Sequence, residues 1–337
     1  ESRAVEILEA VRRDMDWDRP LPPDRGRGVA LGVRHVGGGA LPLRVVVSAD
    51  GQLTVLTGMP EQGAGAWQVM RRVLAAVAGV DESRVSVRHT STAGGPPDPG
   101  VGGSRVTHLA SRAAEDLGRQ VRDWLEERIP SVLPTAGSGT RLHDDELSDP
   151  DVPGPRIGFA EAVSRLVPGD APIELSATFD GAAHGPDEPG DYDFAACAVE
   201  VEVDRATGAF RLTDALLAVD IGTVVNPVAH RGQLEGGFVF GLGAAVMEEL
   251  PVDNGAVTAL SLADVKLPNV GDVPPLRLAL LSTDVGPGAF GAKMAGELTN
   301  TVVPPAVANA VADAVGARIT ELPISAERVH DALGGSR

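Results

Sequence analysis

Near its end the chain reads Gly291-Ala-Lys-Met-Ala-Gly-Glu297, which sets a single carboxylate, Glu297, in a loop of small residues. One of the chain's two lysines, Lys293, stands four residues before it. Small residues let backbone approach a bulky ligand, and Gly296 removes the side chain beside the carboxylate. A carboxylate held in this way can act as a base on something large. A surface turn with an incidental glutamate has the same sequence, and the segment alone favours that blander reading.

Three upstream stretches could hold an anion or a polar ligand. Gly63-Ala64-Gly65 leads into a helix from about Trp67, and Gly100-Val-Gly-Gly-Ser-Arg105 leads into one from Thr107. Helix N-termini with bare backbone N–H groups bind anions, and Ser104 and Thr107 add hydroxyl donors. Ordinary helix caps look alike, and neither loop matches a Walker A or Rossmann fingerprint. The third stretch runs from Asp220-Ile-Gly-Thr-Val-Val-Asn-Pro227 through Gln233 to Gly243. Glycine inside a helix costs about 1 kcal/mol relative to alanine, so its density there indicates close approach of a ligand or of another backbone. Gln233 offers both a donor and an acceptor.

Other chemistries find little support. The seven histidines include no pair at i, i+4 and no HExxH, which disfavours a zinc hydrolase. His108 lies beside the second glycine loop, where a solvated helix-start histidine is the simpler reading. No Gly-x-Ser-x-Gly elbow occurs. The lone cysteine, Cys197, sits in an apolar strand and reads as a small core residue; it cannot house an iron–sulfur cluster by itself.

The elements that must position these residues alternate irregularly, so an α+β fold is expected rather than a doubly wound sheet. Helices are expected at 3–17, Trp67–Ala78, Thr107–Glu127, Phe159–Arg165, Gln233–Glu248 and Pro304–Val315, with a last one from Ser325. Strands are expected at Leu43–Ser48, Leu53–Thr57, Val85–His89, Ala195–Val203, Phe210–Asp220 and Arg318–Leu322, with a hairpin at Asn254-Gly255. Residues 130–156 lose apolar periodicity and read as a linker, which divides the 337 residues into units 1–140 and 141–337.

A net charge of −18 argues against nucleic acid as a partner. No apolar run is long enough to span a bilayer, and no apolar leader follows the charged Glu1-Ser-Arg opening. A reducing cytoplasm is the compartment expected of a chain with a single cysteine, and the missing initiator Met points to a trimmed or excised chain. With one cysteine, redox chemistry needs a cofactor or partner from outside.

In their order, these pieces resemble the molybdenum-binding subunit of the xanthine dehydrogenase/aldehyde oxidoreductase family, the molybdenum hydroxylases. The matching stretches are Glu61-Gln-Gly-Ala-Gly65, Gly102-Gly-Ser-Arg-Val-Thr107, Glu200-Val-Glu-Val-Asp204 and Asp220–Pro227. Gly232-Gln-Leu-Glu-Gly-Gly237, Lys266-Leu-Pro268 and Gly291–Glu297 continue the series. The resemblance covers almost the whole chain, but only the C-terminal half of that large subunit.

It implies two-layer mixed-sheet domains of the molybdenum-cofactor-binding type. It also implies molybdopterin, as the cytosine dinucleotide, held by Gly63, Ala64, Gly65, Gly102, Gly103, Ser104, Arg105, Val106 and Thr107. Gln233 would bond near the metal, Lys293 would belong to the cradle, and Glu297 would be the catalytic base. The metal itself would bind through pterin sulfurs, with no protein ligand. A carboxylate in a dry pocket beside an anionic metal centre should have a raised pKa. The implied reaction hydroxylates an electron-poor carbon of a purine, aldehyde or N-heterocycle with water, and carbon monoxide also falls within the family. Electrons would leave through 2Fe-2S and FAD on partner chains or domains. The implied partners are the remaining half of the molybdenum subunit, an Fe-S subunit and an FAD subunit.

Two departures stand out. The family's Gly-Gln-Gly loop reads Gly63-Ala64-Gly65, which removes a glutamine contact, and its Gly-Val-Gly-Glu ending reads Met294-Ala-Gly-Glu297. The competing reading is a non-catalytic structural or cofactor-shielding partner of such an enzyme.

Overall fold

The computed structural model describes residues 3–98, 100–167, 171–181 and 192–334. Residues 1–2, from the opening tripeptide, and Pro99, in the second glycine loop region, lie outside them. In chain order the first elements are α1 (Ala4–Asp14), β1 (Arg25–His35), β2 (Gly39–Val47), β3 (Leu53–Thr57), α2 (Ala66–Ala78), β4 (Val85–His89) and α3 (Val106–Glu126). Then come α4 (Ile129–Val132), β5 (Arg141–His143), β6 (Glu146–Ser148), β7 (Ile157–Gly158), α5 (Phe159–Leu166), β8 (Ile173–Gly181), β9 (Tyr192–Val203) and β10 (Phe210–Asp220). The chain continues with α6 (Pro227–Val246), β11 (Val252–Asp253), β12 (Ala256–Val257), α7 (Leu262–Val265), β13 (Leu276–Leu281), α8 (Leu298–Val315) and α9 (Ala326–Ala332). The fold is α+β, as its mixed order implies.

Two four-stranded mixed sheets form the frame, ordered β4-β3-β2-β8 and β1-β9-β10-β13. In each, one outer pair is parallel, β3–β4 in the first and β10–β13 in the second. Helix α2 buries Val69, Met70, Val73 and Leu74, the i, i+3, i+4 stripe of an amphipathic helix, in the core of the first sheet. Helix α3 adds Leu109, Ala113, Leu117 and Val121 to the same core. Against the second sheet lie α6 and α8 on one face, while α1 covers the other with Ile7, Ala10 and Val11.

The backbone of α8 runs directly on β1. A Cβ at Gly28 would stand 2.2 Å from both the Ala306 carbonyl and the Ala310 nitrogen, so only glycine permits this approach. Gly26 and Gly32 lie on the same face of β1 and meet α8 on either side of that point. These glycines weaken the strand pattern in the sequence, and they explain why β1 is not expected there.

The two sheets do not divide at residue 140. Strand β1 pairs with β9 through the register His35↔Tyr192, so everything between those residues is inserted between neighbouring strands of the second sheet. Within the insertion, β2 pairs with β8, ending at Gly39↔Gly181. The supposed linker 130–156 is also structured. Strands β5, β6 and β7 form a small antiparallel sheet, and Leu142 and Leu147 are buried in the first core.

Two other expectations need correction. Helix α8 begins at Leu298 and carries Pro304 and Pro305 inside it, rather than starting at them. Buried Leu298, Val302 and Val303 hold the extra turns against the core, offsetting the cost of interior proline. Arg318–Leu322 joins no sheet.

Candidate functional site

Four helices aim their N-terminal ends at one cavity of about 320 Å³. Gly65 and Ala66 bring the start of α2, Ser104, Val106 and Thr107 that of α3, Asn226 and Ala229 that of α6, and Glu297 that of α8. Each N-terminus carries partial positive charge and orphan N–H groups, so the space between them favours an anion.

The ends differ in how far the protein already satisfies them. The Glu61 carboxylate accepts from the backbone N–H groups of Gly63 (2.9 Å), Gly65 (3.0 Å) and Trp67 (3.1 Å). The Asn226 side chain caps α6 by accepting from the Ala229 N–H at 3.2 Å. Helix α3 has no side-chain cap. Helix α8 has none either, but its N-cap residue sets the Glu297 carboxylate there, so the N-terminus of α3, preceded by Gly102, is the end left to an external anion. The phosphate role expected of Gly63 and Gly65 is not available in this geometry, because Glu61 already occupies their donors.

Glu297 lies on the cavity wall with its carboxylate held from two sides. Arg34 Nη2 donates to Oε2 at 2.9 Å, and the Ser104 hydroxyl donates to the same oxygen at 2.8 Å. Ser104 is nearly buried and adopts φ 56°, a left-handed conformation uncommon for a side-chain-bearing residue, at the point where its hydroxyl meets the carboxylate. The bond from Arg34, then that from Ser104, holds the Glu297 carboxyl below the ordinary glutamate range. This is opposite in sign to the raised value expected of a base in a dry pocket. The cause is that the side chain is 47% exposed and paired with a cation.

Three further contacts fix the loop that carries Glu297. Gln233 Nε2 donates to the Gly296 carbonyl at 3.3 Å, and the Met294 N–H donates to buried Asp193 at 3.0 Å. Lys293 Nζ lies 2.6 Å from Asp220 and 3.8 Å from Asp193, all three side chains being largely buried. Although Lys293 lines the cavity, its ammonium faces these carboxylates and so anchors the loop, a different role from the cradle contact expected of it.

Of the residues singled out in the sequence, Ala64, Gly65, Gly102, Ser104, Val106, Thr107, Gln233, Lys293 and Glu297 line this one cavity. Gly63, Gly103 and Arg105 do not; Arg105 Nη1 donates to the Gly38 carbonyl at 2.6 Å. His108 packs edge-on against Phe179, with centroids 5.3 Å apart, and Cys197 is buried with its thiol pushed up by burial.

Sequence reasoning named Gln62 and Asn226 only within longer stretches, without a role of their own, and overlooked His230 and Arg34. Asn226-Pro227 is a readable helix start, a capping side chain followed by proline at the first helical position. His230 lies one turn before Gln233 on the same helix, and burial pushes its imidazole below the usual range. Nothing local marks Arg34, whose partner is 263 residues away.

The cavity suits a molybdenum-bearing pterin. Gln62, Thr107, Asn226 and Gln233 line it, and the buried Nε2 of His230 on its wall has no hydrogen-bond partner. A pterin, rich in ring N–H and carbonyl groups, matches such a donor and acceptor set, and its phosphate matches the uncapped end of α3.

The family model of the molybdopterin cofactor-binding domain matches residues 8–274. The xanthine dehydrogenase molybdenum-binding subunit of Escherichia coli O157:H7 is 28% identical over 360 residues, covering 97% of this chain and 45% of that protein. The aldehyde oxidoreductase molybdenum-binding subunit PaoC of the same organism is 30% identical over 314 residues, covering 91% of this chain and 41% of its own length. Among solved structures, quinoline 2-oxidoreductase from Pseudomonas putida 86 superposes with a TM-score of 0.80 at 26% identity, over 99% of this chain and 45% of that one. The chain thus spans less than half the length of these relatives.

Proposed function

Because the chain belongs to the molybdopterin cofactor-binding domain family, we propose that its cavity holds a molybdenum-bearing pterin and that Glu297 is the base of an oxidative hydroxylation. The observation that carries this reading is the placement of one anchored carboxylate on the wall of a cavity where four helix N-termini converge.

When bound, the cofactor supplies the two-electron acceptor and the site at which water is activated. The protein's own residues bind and orient. The uncapped N-terminus of α3, with Gly102, Ser104 and Thr107, receives the dinucleotide phosphate, and the cytosine form is the one the family resemblance favours. Gln62, Asn226 and Gln233 meet the polar edges of the pterin. Gln62 lies two positions before Ala64, where the family carries its glutamine, and supplies an amide to the same cavity.

Glu297 takes up the proton released as water oxygen adds to the substrate carbon. The hydrogen displaced from that carbon leaves with its electron pair, for which the bound cofactor would be the acceptor. Its two donors leave it ionised near neutrality, the form a base requires. The substrate is an electron-poor carbon compound of the purine, aldehyde or N-heterocycle class. Electrons pass to 2Fe-2S and FAD groups on partner chains or further domains, since the one cysteine here is buried in a strand. The other half of the molybdenum subunit, on this polypeptide or on another, completes the substrate pocket. Among the described residues no helix is long and apolar enough to cross a membrane.

Glu297→Gln tests the reading in the assembled enzyme. Turnover should fall by about 10²–10⁴, the contribution of a positioned base, with molybdenum and pterin content unchanged. Unchanged turnover would overturn the assignment.

A further inference from the structure

We propose that Arg34 is the positioning residue of the Glu297 base: it pins one carboxylate oxygen, Oε2, and so sets how the carboxyl group is presented on the cavity wall. The inference rests on the reading of Glu297 as the base.

Its ground is the way two paired strands grip one loop. Arg34 on β1 lies directly opposite Asp193 on β9, so both side chains leave the same face of the sheet. Asp193 accepts from the Met294 N–H, while Arg34 donates to Glu297 three residues further on. The face is the one against α8, because Arg34 follows Gly26, Gly28 and Gly32 in the period-2 alternation. Those glycines draw α8 onto β1, and Glu297 is the residue that opens α8. The close packing of strand on helix thus delivers the carboxylate to the guanidinium.

The pair is monodentate. Only Nη2 reaches the carboxylate, and the buried Nε of Arg34 has no hydrogen-bond partner. Since Ser104 also donates to Oε2, both side-chain donors fall on one oxygen. An arrangement serving only to neutralise charge would gain more from the two-pronged fork that arginine and a carboxylate readily form.

The other charged groups around the site are engaged elsewhere. Lys293 faces Asp220, Arg105 donates to the Gly38 carbonyl, and His230 on α6 is pushed toward its neutral form by burial. Arg34 is therefore the cation whose removal changes the field at Glu297.

The test pairs two readings on Arg34→Met and Arg34→Lys. The first is titration of the Glu297 carboxyl in the full chain by carbon-13 NMR, with the signal assigned through Glu297→Gln. The second is the pH dependence of kcat in the assembled enzyme. Arg34→Met should move the carboxyl's midpoint to higher pH, move the acidic limb of kcat with it, and lower turnover at neutral pH about tenfold. Arg34→Lys should restore the midpoint, because it restores the charge. Should Arg34→Met fail to fold, Arg34→Gln carries both readings.

An unmoved midpoint in a folded variant overturns the grip on Glu297. A moved midpoint with an unmoved kcat limb, while Glu297→Gln is inactive, overturns the positioning role. If Glu297→Gln is itself fully active, the underlying function fails, and the titration still decides whether Arg34 holds the carboxylate.

Discussion

Gly296 lies so close to Ser104 that a Cβ built on it would stand 2.7 Å from the serine hydroxyl oxygen and 3.0 Å from its Cβ. The absence of a side chain at 296 is therefore what lets Ser104 reach the neighbouring Glu297. Gly296→Ala should push the hydroxyl off the carboxylate, costing about 1–3 kcal/mol and lowering turnover more than Ser104→Ala does. Urea unfolding and steady-state rates on both variants check this; a Gly296→Ala rate equal to the parent's would show that the hydroxyl was not displaced.

Lys293→Met should destabilise the protein by about 3–5 kcal/mol, because it removes the ammonium that lies 2.6 Å from buried Asp220. Asp220 Oδ1 already lacks a hydrogen-bond partner, so this pocket has little spare capacity for charge. Denaturant titration reads the loss. A cost below about 1 kcal/mol would mean that the ammonium does not anchor the loop.

Glu61→Ala removes the acceptor of three backbone N–H groups at the start of α2 and should cost about 1–2 kcal/mol. Free N–H groups would then invite an external anion. Sulfate should stabilise the variant more than the parent, measured as a difference in Tm at matched ionic strength. No difference would show that the freed donors do not make an anion site.

The depressed Glu297 carboxyl also fixes a sign in the pH dependence of stability. A carboxyl whose folded value lies below its unfolded one adds stability above the unfolded value and loses it as pH falls through the folded value. The stability difference between the parent and Glu297→Gln should therefore shrink on acidification below the ordinary glutamate range, with Arg34 the leading cause and Ser104 the second. Unfolding curves across the acid range test it; a difference that grew on acidification would contradict the depressed value. The effect is modest, since the side chain is half exposed.

How much of this was legible in the sequence depended on how local each feature was. Strands β3, β4 and β10 begin and end where alternation predicts, and α2 starts within one residue of its expected position. Strand β1 escaped notice because the glycines that admit α8 are poor strand formers. Residues 141–158 have loop composition, yet Leu142, Leu147 and Ile157 tie them into the first core. The order of the glycine loops, Gln233 and Glu297 was readable, and the structure brings those segments to one cavity. What Glu61, Lys293 and Arg34 contact was not readable. Glu61 acts through the backbone of its own loop, and the partners of Lys293 and Arg34 lie 73 and 263 residues away.

The insertion of the first sheet between β1 and β9 has a consequence for how the chain reaches its native state. Strand β1 leaves the ribosome early and must wait, unpaired, until β9 has been synthesised. The inserted unit can condense first, since its own outer strands β2 and β8 close on each other at Gly39↔Gly181. Its closure brings His35 and Tyr192 within reach and turns a distant pairing into a nearly local one. We therefore expect folding to be ordered from the inside outward, with amide protection in β2 and β3 preceding that in β1 during pulsed hydrogen exchange. Simultaneous protection of β1 and β2 would refute that order.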